Sequence, residues 1–322
     1  MLRGVWWRGA SAAESVTNIH WSVQAAPSQP AGDAMRHAVL GAGAIGGLMA
    51  AALKTIGEDV ALIVRAGQAQ TFPKELTVEH TAGTLRSEAR VAERVNEAFD
   101  VLWIATKTYQ LDEALRSVEV TPGIVVPLLN GVDHLAVLRT RFGNDRVVPG
   151  TIAVEAERSA TGQFVQRSPV RLNVAASGEA VLGSVFEALR GLGWTCRFIA
   201  DEPTLMWSKL AFLEPFALLT AASGRSVGEV LADAEWKATF RAAVAEACAV
   251  ESLEGAEIDA EKGLASFAAF PPTMRASMAK DLAAGRKLEL DGIAGPVLRG
   301  GAKYGVPTPV TQKLVELIEG KK

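Results

Sequence analysis

A chain of 322 residues, 49% of them hydrophobic, is long enough for two domains that each bury a core. A formal net charge of −3 argues against nucleic acid or an anionic membrane as partner, since both select a basic surface. Two cysteines, Cys196 and Cys248, and four scattered histidines give neither a disulfide framework nor metal-ligand spacing, so a soluble cytoplasmic protein without a metal is expected.

Residues 1–34 stand apart. They hold Trp6, Trp7 and Trp21 without helix or strand periodicity, then a polar run containing Pro and Gly. No apolar stretch of secretory length occurs there, and Arg3, Arg8 and several serines resemble a transit peptide only faintly. A disordered extension or an upstream start is expected, and a chain beginning at Met35 should keep full activity.

Residues 35–65 organise the rest of the chain. Ala38, Val39 and Leu40 form a short apolar run that enters Gly41-Ala-Gly43-Ala44-Ile45-Gly46, then a small-residue helix to about Gly57, then a second apolar strand from Asp59. Strand, glycine turn, helix, strand is the setting of a dinucleotide fingerprint. The first glycine permits the turn, the second lets backbone approach a pyrophosphate, and the third lets the helix pack on the sheet. The helix N-terminus then offers N–H groups and a positive dipole end to an anion. An ordinary strand-to-helix turn is the alternative.

The end of the second strand selects the cofactor. A ribose 2′-hydroxyl is usually held there by Asp or Glu, whereas a 2′-phosphate prefers a cation. The sequence has Val64-Arg65-Ala66 and no acid, which predicts NADPH with Arg65 as the 2′-phosphate ligand. A solvated strand-end arginine is the other reading.

Residues 76–91 alternate as a hairpin would. Residues 99–105 and 123–129 are continuous apolar runs, as parallel strands covered on both faces require. The first ends at Thr106-Lys107-Thr108 before a helix over 110–118, and the second at Asn130-Gly131 before a helix over 133–142. Both therefore deliver polar residues at carboxyl ends, where open α/β sheets bind ligands. Residues 147–175 read as antiparallel strands extending or covering the sheet, with turns at Ala160-Thr-Gly162 and Ser168-Pro169. A helix over 178–192 and a strand over 195–200 complete this domain, with the junction near Asp201-Glu-Pro203.

Beyond it the pattern is helical, broken at Ser223-Gly224, Glu254-Gly255, Pro271-Pro272, Gly285 and residues 305–309. The expected architecture is α/β: a Rossmann-type doubly wound sheet over 35–201, then an all-α domain over 202–322. The helix over 204–222 is apolar nearly all round and should be buried. Lys209, Glu214 and Pro215 interrupt it, against a membrane span. A lysine in such a helix is anomalous, because desolvating an ammonium lowers its pKa toward what a general acid near neutrality needs. A lysine reaching the helix end is the alternative.

Gly41 to Gly46, Lys107, Asn130-Gly131, Trp207-Ser-Lys209-Leu210, Ser277 and Glu289-Leu-Asp291-Gly292 together resemble, in order and spacing, the motifs of the 2-dehydropantoate 2-reductases (ketopantoate reductases). The likeness runs from Met35 to about Gln312. It implies NADPH-dependent reduction of a 2-oxo acid in a cleft between the domains, a place in pantothenate biosynthesis, and a homodimer through the helical domain. It also implies that Lys209 protonates the ketone oxygen, that Glu289 orients Lys209 and substrate, and that Ser277 donates to the substrate carboxylate. Asn130 and Lys107 would lie between nicotinamide and substrate. Read alone, Glu289 is equally a helix-start acid, Ser277 a surface hydroxyl, Lys107 a solvated cation and Asn130 a turn residue.

The chain departs from the family at Leu213, Ala217 and Val227, where the family has asparagines. Unpaired buried polar groups cost about 1–3 kcal/mol each, so a substrate with a less polar tail than ketopantoate is expected, ketopantoate itself staying open. Alternatives are a dehydrogenase of the 6-phosphogluconate or opine type, whose motif spacings differ, and a non-catalytic NADP-binding sensor.

Overall fold

The computed structural model describes residues 34–80, 83–159 and 162–321. The expectation for residues 1–34 falls outside these, Ala34 excepted, as does most of the turn at 160–162. The described chain forms two compact units, residues 34–129 with 134–202, and residues 203–321 with Asn130–Asp133.

In the first unit the strands are β1 (Arg36–Leu40), β2 (Asp59–Ile63), β3 (Glu75–His80), β4 (Gly83–Glu88), β5 (Arg90–Ala92), β6 (Val101–Ile104), β7 (Ile124–Pro127), β8 (Gly150–Ala153), β9 (Ala156–Arg158), β10 (Phe164–Gln166), β11 (Arg171–Ala175) and β12 (Thr195–Ile199). The helices are α1 (Ala44–Thr55), α2 (Leu111–Leu115), α3 (His134–Phe142) and α4 (Glu179–Gly191). The main sheet is parallel, in the order β5-β2-β1-β6-β7. Val39, Leu62, Trp103 and Val126 in its middle are all buried, which is why these strands read as unbroken apolar runs.

Strand order reverses beside β1, with β2 on one side and β6 on the other. Ligands of open α/β sheets bind outside the carboxyl ends at that switch. The glycine turn follows β1 and Lys107 follows β6, so the fold brings both to that edge.

Residues 147–175 meet the expectation in part. Val147 alone continues the parallel sheet, as an isolated bridge to Val125 of β7, while the strands of this stretch join a sheet β4-β3-β10-β9 and a sheet β12-β11-β8. The expected antiparallel pairs β9–β10 and β8–β11 are there, as is the hairpin β3–β4, yet β10 joins β3 in parallel and β11 joins β12 in parallel. Gly47 shows what the first of these sheets does. A Cβ there would stand 2.1 Å from the buried Phe164 ring, so the sheet closes over α1. The helix expected over 110–118 is shorter, a 3-10 turn at Thr108–Gln110 leading into α2.

The second unit is built from α5 (Glu202–Ser223), α6 (Val227–Ala232), α7 (Ala234–Leu253), α8 (Ala260–Ser266), α9 (Ser277–Ala283), α10 (Leu290–Tyr304) and α11 (Pro309–Glu319), with no strand among its described residues. The breaks fall where expected, with Gly224, Gly255, Gly285 and Gly305 at positive φ. By length and composition α5 could cross a membrane, but most of it is buried within the protein. Its core partners include Phe240, Ile293 and Leu314, and Phe240 meets Phe267 edge-on at 4.8 Å between centroids.

Candidate active site

The glycine turn has the shape its spacing predicts. Gly41 has φ +106, and a Cβ on it would lie 2.9 Å from the Ala105 carbonyl oxygen, because the turn passes close over the end of β6. A Cβ on Gly46 would lie 1.7 Å from the Gly41 carbonyl oxygen. Gly43 differs, with nothing within 4 Å of its would-be Cβ. It is the N-cap of α1, without a side-chain cap, and the helix has no acid in its first turn. The turn, including Ala44 and Ile45 behind Gly43, thus presents unclaimed N–H groups to open space, and an anionic phosphate fits it.

Past β2, Arg65 is exposed and opens a tight turn in which Gln68 N–H donates to the Arg65 carbonyl at 3.1 Å and Phe72 N–H to the Gln68 carbonyl at 2.9 Å. Glu93 accepts from Ala69 N–H at 3.0 Å, and the backbone donors around it hold its carboxyl below the usual range. Lys107 is half-buried at the start of the 3-10 turn after β6.

The second unit gathers the remaining polar residues. Trp207 and Leu210 of α5 belong to a buried cluster with Val250 and Val297, leaving Lys209 off that face. The Lys209 ammonium donates to Asn130 Oδ1 at 3.0 Å, and Asn130 Nδ2 donates to Glu289 Oε2 at 3.3 Å. An ammonium only donates and a carboxylate only accepts, so the amide between them is oriented by its partners. Burial lowers the Lys209 pKa to about 8, with the Glu289 carboxylate pulling the other way. Glu289 stands at the N-cap position of α10 but makes no side-chain cap, its carboxylate being turned to Asn130.

Asn130 arrives in this company through the four-residue segment it begins. A Cβ on Gly131 would stand 2.0 Å from the Gly292 carbonyl oxygen. Val132 packs on the Trp207 cluster, and Asp133 pairs with Arg299 of α10. Arg299 also donates to Asp291 at 2.7 Å. This docking was not read from sequence, although the paired Asn-Gly and Glu-x-Asp-Gly motifs carried the signal.

Ser277 is exposed at the first position of α9, outside the chain of hydrogen bonds that runs from Lys209 through Asn130 to Glu289. Three positions were expected to form an apolar substrate wall. Ala217 and Val227 are 1% and 2% exposed within the helical core, and Leu213 alone of the three is half-buried. Two acids are wholly buried: Glu214 on α5, which the sequence shows only as an interruption of an apolar helix, and Glu251 on α7, which sequence reasoning missed; their carboxyl oxygens have no hydrogen-bond partner among the described residues.

Residues 37–179 match the model of the ketopantoate reductase PanE/ApbA family, and residues 203–322 match that of its C-terminal domain. The chain belongs to the ketopantoate reductase family. With that membership it is an oxidoreductase acting on CH–OH groups. A 2-dehydropantoate 2-reductase of Caulobacter vibrioides is 31% identical over 87% of this chain and 97% of its own length. Another, from Archaeoglobus fulgidus, is 27% identical over 88% and 96%. Among solved structures, a PanE/ApbA family ketopantoate reductase from Ralstonia eutropha JMP134 superposes with a TM-score of 0.80 at 23% identity, covering 89% of this chain and 98% of that one. A D-mandelate dehydrogenase bound to NADH and anilino(oxo)acetate gives the same TM-score, identity and coverage. These two show the shared fold: a Rossmann-like parallel-sheet domain followed by a helical one.

Proposed function

We propose that the protein reduces a 2-oxo acid to the 2-hydroxy acid with NADPH, taking ketopantoate or a close relative as substrate. The observation that carries this reading is the Lys209 ammonium, lowered toward neutrality by burial and tied through Asn130 to Glu289. The relatives named 2-dehydropantoate 2-reductase, similar along nearly their full length, support the substrate class.

Residues 35–201 would form the cofactor domain and 202–322 the catalytic one, with Asn130 lent to the latter. The turn of Gly41, Gly43, Ala44, Ile45 and Gly46 would cradle the pyrophosphate, Arg65 would grip the 2′-phosphate, and Lys107 and Asn130 would line the nicotinamide end. Absence of an acid after β2 favours NADPH over NADH. The bound cofactor supplies hydride from C4 of its nicotinamide.

Lys209 Nζ holds the proton the carbonyl oxygen needs. As the carbonyl carbon gains hydride, the C=O π bond opens, the oxygen takes the Lys209 proton, and the neutral amine is reprotonated from water. Glu289, reaching Lys209 through the Asn130 amide, favours the charged amine and so keeps the acid loaded. Ser277 would donate to the substrate carboxylate, and Asn130 and Glu289 would orient the carbonyl. With Ala217 and Val227 in the core, a preference for a less polar tail rests on Leu213 alone. The free cysteines accord with a cytoplasmic setting.

A screen of 2-oxo acids for consumption of NADPH, ketopantoate first, tests the reading. Lys209→Ala should lower turnover by orders of magnitude with NADPH affinity nearly kept. No turnover with any 2-oxo acid, alongside tight NADPH binding, would favour a sensor instead.

A further inference from the structure

Arg158, which no motif singled out, lies at the glycine turn. It ends β9, opposite Phe164 of β10, and Phe164 is the ring that fills the space left by Gly47 on α1. This packing anchors the outer strand pair to the first turns of the fingerprint helix. The Arg158 guanidinium carbon sits 4.6 Å from the centroid of the Phe72 ring, and Nη1 lies 3.4 Å from the carbonyl oxygen of Ala42, between the first two glycines. Phe72 itself closes the turn that begins at Arg65.

The charge is uncommitted. Arg158 is exposed, and among the described residues no carboxylate pairs with it. Its strand neighbour Glu157 is taken by Arg167. A guanidinium has five N–H donors in a planar fork, and one long contact to a carbonyl leaves most of them free. The aromatic face supports the guanidinium without neutralising its charge. A cation held there, beside N–H groups that face open space, matches a phosphate ester.

We infer that Arg158 is a second guanidinium of the dinucleotide site and binds a phosphate group of the cofactor. This rests on the proposed use of a pyridine nucleotide, and it adds to Arg65 a residue from a different sheet. A phosphate bound there would join β9 to the glycine turn, so the outer strand pair would be steadied by cofactor.

The test is the dissociation constants of NADPH and NADH, by quenching of protein fluorescence, for the unchanged chain, Arg158→Met and Arg158→Lys, with melting of each cofactor-free chain as control. Methionine can still cover Phe72, so melting should stay within about a degree. Arg158→Met should weaken NADPH at least tenfold and flatten the dependence of its affinity on salt. Arg158→Lys, keeping charge but losing the fork, should fall between. Equal weakening of NADH would assign the contact to the pyrophosphate, and unchanged NADH affinity to the 2′-phosphate. Arg158→Met binding both nucleotides within twofold of the unchanged chain would overturn the inference. Lower melting without a change in either constant would also overturn it, marking Arg158 as a tether only. If the unchanged chain bound neither nucleotide, the cofactor reading itself would fall.

Discussion

Gly131 lies so close to Gly292 that no side chain fits between them: a Cβ on the first would stand 2.0 Å from the carbonyl oxygen of the second. Gly131 also has φ +78, where a Cβ is strained whatever the space. The contact seats Asn130 between Lys209 and Glu289, at the start of the helix that carries Glu289's neighbours. Gly131→Ala must displace either segment. We expect a stability loss of about 1–3 kcal/mol and turnover at least tenfold lower, measured by thermal melting and by NADPH consumption. Unchanged melting with full turnover would show that the segment does not position Asn130.

Lys209 sets a pH dependence. Burial lowers its pKa to about 8 and Glu289 opposes the shift. The reduction needs the ammonium, so its kcat should be level below neutrality and decline as pH rises through about 8. Oxidation of the hydroxy acid needs the free amine and should rise over the same range. The folded chain binds fewer protons than the unfolded one between about 8 and the ordinary lysine value of 10.5, so this group's contribution to stability grows with pH there. A reduction rate level to pH 10 would remove Lys209 as the acid.

Replacing the amide that relays Glu289 separates position from charge. Asn130→Asp puts a carboxylate at hydrogen-bond distance from the ammonium and beside Glu289. An opposite charge favours the protonated amine, so the declining limb of kcat should move to higher pH. Turnover at neutrality should fall at least tenfold, since the carboxylate cannot donate to Glu289 as the amide does. Asn130→Ala should lose turnover with the limb moved less. A limb in the same place for Asp, Ala and Asn would mean that residue 130 does not act through Lys209.

What could be read in the sequence was local in origin. β1, β2, β6 and β7 are buried on both faces and announce themselves as apolar runs, and the helix breaks, Pro271-Pro272 apart, sit at glycines with positive φ. The glycine turn is short-range chemistry, legible from its spacing. Residues 147–175 were harder, since β10 chooses β3, more than 80 positions earlier, and the choice rests on Phe164 filling the space above Gly47. Asn130 reads as the end of a parallel strand but folds with the helical unit, through contacts to Gly292 and Arg299 that no local pattern encodes. Of the buried acids Glu251 stayed hidden, because it repeats like any polar residue along α7 until packing covers it.

Those acids give a stability prediction. Burial holds the carboxyls of Glu214 and Glu251 well above the ordinary value of 4.5; Glu214 raises Glu251 further, and Glu246 adds to the shift at Glu214. The folded chain therefore keeps protons that the unfolded chain has released, and stability falls as pH climbs above that value. Glu214→Gln and Glu251→Gln remove the titration while keeping shape. Each should raise melting at pH 8 by about 2–4 °C, on the order of 1 kcal/mol, and flatten its decline with pH. Lower melting at pH 8 for both variants, with the slope intact, would show that the carboxylates are compensated in the fold.

In the proposed reaction Arg65 is expected to set the choice of nucleotide. Its side chain is exposed at the end of β2, on a turn whose backbone is fastened by Glu93, so the residue is presented to solvent by a rigid support. A 2′-phosphate would find a guanidinium there, whereas the residues directly after β2 offer no acid to the 2′-hydroxyl of NADH, and the nearby Glu93 carboxylate is engaged by the backbone donors of the turn. Arg65→Asp reverses both terms. The kcat/KM ratio of NADPH over NADH should drop by at least a hundredfold, most of it through NADPH, because a carboxylate repels the phosphate and loses the bidentate pair. Turnover at saturating NADPH should change little, as Arg65 lies outside the Lys209 group. A ratio that stays put would take Arg65 out of the cofactor site and move the discrimination to another cation at the glycine turn.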